Sequence, residues 1–65
     1  MSVLVNGRMQ NLPEPPTLAA LLVALAPPTP FAVACNGEFM PRTNYAECEI
    51  QSGDRIDIVH AAAGG

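Results

Sequence analysis

Thr17-Leu18-Ala19-Ala20-Leu21-Leu22-Val23-Ala24-Leu25-Ala26, closed by Pro27-Pro28, is the stretch that decides the fold. Leu18, Leu21, Leu22 and Leu25 recur at i, i+3, i+4 and i+7, which is one face of an α-helix. The Thr17 hydroxyl precedes that run and can accept from an exposed backbone N–H, so Thr17 is the expected N-cap. Pro27 and Pro28 stop the helix. Its other face, Ala19, Ala20, Val23 and Ala24, carries no charge. Alanine is the best helix former, and that face is read as propensity before it is read as a contact surface.

Short β-rich runs lie on both sides of this helix. Ser2 to Val5 and Arg8 to Leu12 flank Asn6-Gly7. Asn-Gly between two such runs is a strong hairpin signal, because both turn residues take positive φ. Phe31 to Cys35 reads as a strand with Phe31, Val33 and Cys35 on one side. Asn36-Gly37 is a second hairpin turn, leading into Glu38 to Met40, and Pro41 ends that strand or puts it at an edge. Arg42 to Cys48 is irregular, a turn that holds Tyr45 against the core. After Ser52-Gly53-Asp54, Arg55 to Val59 alternates, with Ile56 and Ile58 on one face and Arg55, Asp57 and Val59 on the other. The order strand, strand, helix, strand, strand, strand gives an α+β domain of two layers, a mixed sheet of four to five strands packed on one helix. The leucines should meet Val3, Val5, Val33, Ile56 and Ile58. Residues 1–65 are read as a single domain.

Such a chain, 65 residues long, has no room for a deep cleft lined by several catalytic side chains. Any chemistry it takes part in must borrow much of its site from a partner. About half the residues are apolar and only 14% are charged, which favours a folded chain. Six acids oppose three arginines and there is no lysine. Arg8, Arg42 and Arg55, scattered among acids, make no basic patch, so no nucleic-acid partner is expected. The longest apolar stretch, Leu18 to Ala26, is too short for a bilayer, and no secretory signal is visible. No membrane association and a cytoplasmic location are therefore expected. Cys35 and Cys48 stand in neither a C-x-x-C pair nor a zinc spacing, so no metal is expected. Without a secretory context no disulfide is expected either.

The final residues, Ala61-Ala62-Ala63-Gly64-Gly65, follow the last strand with no charge and no large side chain. Chance gives a Gly-Gly ending about 0.5% of the time. A terminal diglycine has no β-carbon, so it threads a narrow channel and adopts dihedrals closed to other residues. Its carboxylate stands unobstructed, and an activating enzyme can bring it in line with the α-phosphate of ATP. Gly65, with Gly64, is thus the candidate reactive site, Ala61, Ala62 and Ala63 are its threading segment, and 61–65 is expected to be a flexible tail. His60, just before it, reads as a solvated side chain.

The chain resembles the ThiS family, sulfur carriers of thiamine biosynthesis with a β-grasp (ubiquitin-like) fold. The resemblance rests on Val3-Leu4-Val5-Asn6-Gly7, on Thr17-Leu18-Ala19-Ala20-Leu21-Leu22, and on Val33-Ala34-Cys35-Asn36-Gly37-Glu38-Phe39-Met40-Pro41-Arg42. Gly53-Asp54-Arg55-Ile56-Asp57-Ile58-Val59 and Gly64-Gly65 complete it. It implies first and last strands lying parallel at the sheet centre. It implies a carrier and co-substrate and not an enzyme, with no permanently bound cofactor. A ThiF-like enzyme would adenylate Gly65 with MgATP, a cysteine desulfurase or other donor would supply sulfur, and the thiocarboxylate would pass it to a ThiG-like thiazole synthase. Cys35 and Cys48 are not features of that pattern.

Leu4 and Val59 point away from the expected core and are neighbours if their strands pair; Phe39 or Met40 extends them into a candidate docking patch. Alternatives within the class are the small subunit of molybdopterin synthase and a protein modifier. From another class comes a β-grasp interaction module with an incidental Gly-Gly.

Overall fold

The computed structural model describes residues 1–60. Its strands are β1 (Ser2–Val5), β2 (Arg8–Asn11), β3 (Phe31–Cys35), β4 (Glu38–Met40) and β5 (Arg55–His60), with one α-helix, α1 (Leu18–Leu25), between β2 and β3. The sheet has five strands in the order β2-β1-β5-β3-β4. β1 and β5 are parallel and the other neighbours antiparallel. This is the mixed sheet and single helix that the alternation and the leucine spacing imply.

Both Asn-Gly turns take left-handed conformations, with Asn6 at φ 51° and Gly7 at 82°, and Asn36 at 52° and Gly37 at 86°. That pattern joins two strands through two residues in the twist the strands prefer. The expected turn at 42–48 contains a short 3-10 helix, Arg42–Asn44. Tyr45 is partly buried against the core, as expected.

Helix α1 is capped completely at its first turn. A helix leaves its first four N–H groups without intrahelical partners. Here Leu18 donates to the Cys48 carbonyl at 2.8 Å, Ala19 to that of Tyr45 at 3.0 Å, and Leu21 to that of Thr17 at 3.1 Å. Ala20 donates to the Thr17 hydroxyl at 3.2 Å. Thr17 thus caps as expected, but two of the four donors depend on the 45–48 segment. At the other end Ala26 adopts φ 48° and donates back to Leu22. The helix ends in this left-handed residue, one position before the prolines.

Leu18, Leu21 and Leu22 pack on Val3, Val5, Val33, Ile56 and Ile58, and all eight are buried. Ile50 is buried among them too. No periodic run marked it, because it stands alone in a loop. It is held there by its N–H, which donates to the Pro16 carbonyl at 2.9 Å.

Candidate functional site

β5 is the last described element before the expected reactive residues, Gly64 and Gly65. It is the central strand. β1 holds its first half through the register Leu4–Arg55 and Val5–Ile56. β3 holds all of it beyond Arg55 through five pairs, from Cys35–Ile56 to Phe31–His60. At the exit, the His60 ring meets that of Phe31 edge-on, with centroids 6.4 Å apart.

Two side chains complete this hold, and reading Asn-Gly only as turn chemistry missed both. β1 turns away after Val5, while β5 runs on. The Asn6 side chain takes over where the β1 backbone leaves: its Oδ1 accepts from the Ile58 N–H at 2.7 Å and its Nδ2 donates to the Ile58 carbonyl at 3.2 Å. On the other flank, Asn36 Oδ1 accepts from the Arg55 N–H at 2.8 Å, and the Asn36 N–H donates to the Arg55 carbonyl at 2.7 Å. The two turn asparagines therefore grip β5 from opposite sides.

Ala61, Ala62, Ala63, Gly64 and Gly65, the expected threading and reactive residues, lie outside the described residues.

The expected docking residues do not form one patch. Leu4 and Val59 share the face turned away from α1, but the parallel register sets Leu4 beside Arg55. Val59 is four residues further along β5, about 13 Å at 3.3 Å per residue. The Arg55–Asp57 ion pair, 3.3 Å apart, lies between them. Met40 is excluded by strand alternation, since adjacent residues point to opposite faces. It pairs with buried Val33 and packs, partly buried, on the core. Phe39 stays outside, 69% exposed. Ala34 separates it from Asp57, and exposed Ala32 stands between it and Val59. Two apolar spots result: Phe39–Ala32–Val59 near the exit of β5, and Leu4 with its exposed neighbour Met9 at the far end.

A concavity of about 660 Å³ lies between α1 and the Phe31–Ala32 end of β3, lined by Leu22, Val23, Phe31, Phe39, Arg42 and Tyr45 among others. Its polar side chains are Thr29, Arg42 and Tyr45, and no carboxylate, thiol or imidazole stands among its lining residues to activate a hydroxyl. Among the described residues no three His, Cys, Asp or Glu side chains come together as a metal site, and no helix is long and apolar enough to cross a membrane.

The family model of the ThiS family matches residues 3–65. The chain belongs to the ThiS family. A thiazole synthase of Paramagnetospirillum magneticum is 33% identical over 66 residues, covering all of this chain and 20% of that protein. The chain thus spans about a fifth of the relative's length. Among solved structures, the crystal structure of the thiamine biosynthesis protein ThiS from Geobacter metallireducens matches with a TM-score of 0.81 at 24% identity, over the whole of both chains. That likeness establishes the β-grasp fold.

Proposed function

We propose that this chain carries sulfur for thiazole formation in thiamine biosynthesis, with the Gly65 carboxylate as its working group. The family match through the diglycine, residues 3–65, carries the reading. In the reaction a Gly65 carboxylate oxygen attacks the α-phosphorus of MgATP on a ThiF-like enzyme, and pyrophosphate leaves. The acyl-adenylate replaces a poor leaving group with a good one. A persulfide sulfur, drawn from a cysteine desulfurase or another donor, then attacks the acyl carbon and displaces AMP. A second thiol of the donor or activating enzyme attacks the donor sulfur of the resulting acyl disulfide, forms a disulfide with it and releases a terminal thiocarboxylate, which gives its sulfur to a ThiG-like thiazole synthase. The chain is a co-substrate in this scheme. MgATP belongs to the activating enzyme, and the cytoplasm supplies it.

Two observations support the partners. A protein named thiazole synthase contains a segment similar to all of this chain, so carrier-like and synthase-like sequence occur in one polypeptide. The exposed Phe39–Ala32–Val59 spot lies beside the end of β5, where an enzyme engaging the tail must also touch the sheet.

The test is an intact mass after incubating the chain with MgATP, a ThiF-like enzyme and a sulfur donor. The expected gain is one oxygen replaced by sulfur, mapped to Gly65. An unchanged mass, with an enzyme active on its own carrier, refutes the reading. Removing Gly65 should abolish the gain without changing the melting temperature.

A further inference from the structure

The dipeptide Asn-Gly occurs twice in the turns of the sheet, and the fold gives its two copies different neighbours. In this dipeptide the asparagine side chain can cyclise onto the glycine nitrogen, which has no side chain beside it to block the approach. As turns the copies are nearly the same. Asn6 and Gly7 stand at φ 51° and 82°, Asn36 and Gly37 at 52° and 86°, and all four residues are exposed. They differ in what the asparagine amide holds. Both ends of the Asn6 amide bond the Ile58 backbone, at 2.7 and 3.2 Å, through part-buried contacts to a core residue. The Asn36 amide makes only exposed contacts, accepting from the Arg55 N–H at 2.8 Å and donating to Asp54 Oδ1 at 3.2 Å and to Cys35 Sγ at 3.9 Å.

We propose that Asn36 is the site of spontaneous deamidation in this chain, and that the grip on Ile58 protects Asn6 from the same reaction. The Gly37 backbone nitrogen attacks Asn36 Cγ and gives up its proton, and the side-chain nitrogen leaves as ammonia. A five-membered succinimide results. Water then opens the ring. Breaking the bond to Cγ gives aspartate at 36. Breaking the bond to the Asn36 backbone carbonyl carbon gives isoaspartate, in which the chain runs through the former side chain and the α-carboxylate is free. Water is the only co-reactant, nothing is oxidised or reduced, and the net change is one NH exchanged for one O.

Cyclisation requires the amide and the turn to leave their folded arrangement. At Asn6 that strips a donor and an acceptor from Ile58, where water replaces them poorly. At Asn36 water takes over each bond as it breaks. A second difference acts at the attacking nitrogen. An Arg55 guanidinium nitrogen lies 3.4 Å from where a β-carbon on Gly37 would stand, whereas nothing lies within 4 Å of that point at Gly7. This cation, which also pairs with Asp57 at 3.3 Å, favours negative charge on the nitrogen that sheds its proton.

The products hold β5 less well than asparagine does. Asp54 is fixed through its other oxygen by the Gln51 N–H at 2.8 Å, so a carboxylate at 36 faces a second carboxylate and has nothing to donate to it. Isoaspartate also lengthens a turn that joins β3 to β4 through two residues, and it moves the former Oδ1 into the main chain, away from the Arg55 N–H. Deamidation therefore loosens the β3–β4 turn from the start of β5.

The experiment incubates the folded full chain at mildly alkaline pH, well below its melting temperature, and follows both sites by peptide mapping and by labelling with an isoaspartyl methyltransferase. Asn36 should exchange NH for O at least about tenfold faster than Asn6, the factor that one hydrogen bond's net worth supplies. In denaturant that difference should close. Equal rates in the folded chain, a faster Asn6, or an Asn36 that reacts only in denaturant overturns the proposal. So does a difference that survives denaturant undiminished, since residues adjacent in sequence would then set it. The isolated isoaspartyl form should melt roughly 4–8 °C lower than the fresh chain, with faster exchange of the Arg55 amide; an unchanged melting temperature refutes the loosening of β5.

Discussion

Replacing Asn6 by glycine separates the two jobs the residue holds. Glycine keeps the left-handed turn without strain, but it removes both bonds to Ile58, at 2.7 and 3.2 Å. Ile58 is only 8% exposed, so water replaces those partners poorly. Each bond contributes about 0.5–1.5 kcal/mol net, and their joint loss costs about 2 kcal/mol. Whole domains of this size hold about 3–10 kcal/mol, and the melting temperature should fall by about 8–16 °C. Asn36→Gly is the comparison. It loses one solvent-exposed side-chain bond to Arg55 and a contact to Asp54 at 3.2 Å, while the backbone bond to Arg55 persists. It should cost about 1 kcal/mol. Thermal unfolding gives the ranking, and hydrogen exchange locates it, since the Ile58 amide should lose protection before its neighbours do. A fall below about 3 °C for Asn6→Gly, or an Asn36→Gly cost equal to or above it, would show that Asn6 serves the turn alone.

Ala26 ends α1 at φ 48°, a conformation an L side chain adopts at a cost of about 1–2 kcal/mol; Ala26→Gly should raise the melting temperature by a few degrees. Phe39→Asp, on a side chain 69% exposed, should leave the melting temperature within about 3 °C while lowering kcat/KM for adenylation by at least about tenfold, as loss of an apolar anchor does. Leu4→Asp, at the far end of the same face, should lower stability more than it lowers that kcat/KM; the reverse ranking would move the docking face to the Leu4–Met9 end. Because Cys35 holds its proton more tightly folded than unfolded, its contribution to stability is complete below pH 9 and is lost as pH rises through the folded value. Melting temperatures measured through that range should fall in the wild-type chain and fall less in Cys35→Ala.

The architecture was legible because it is written in two short periods. Leucines at helical spacing and alternating residues around Val3, Val33 and Ile56 each name a face, and the faces have to meet. What stayed hidden was whatever depends on register or on a single residue. Ile50 is as buried as the leucines, yet one apolar residue in a loop has no period to announce it. Leu4 and Val59 share the expected face but are not neighbours, because pairing two parallel strands does not say which residues stand opposite. Of the alternatives Phe39 and Met40, period-2 alternation puts only one on the outer face, and the pairing of Met40 with buried Val33 decides for Phe39. Asn6 shows how one residue answers two demands. The left-handed turn selects for asparagine or glycine, and the early departure of β1 leaves Ile58 needing both a donor and an acceptor. Only the asparagine amide meets both needs. The central strand β5 is therefore secured at a position where sequence statistics register only a turn.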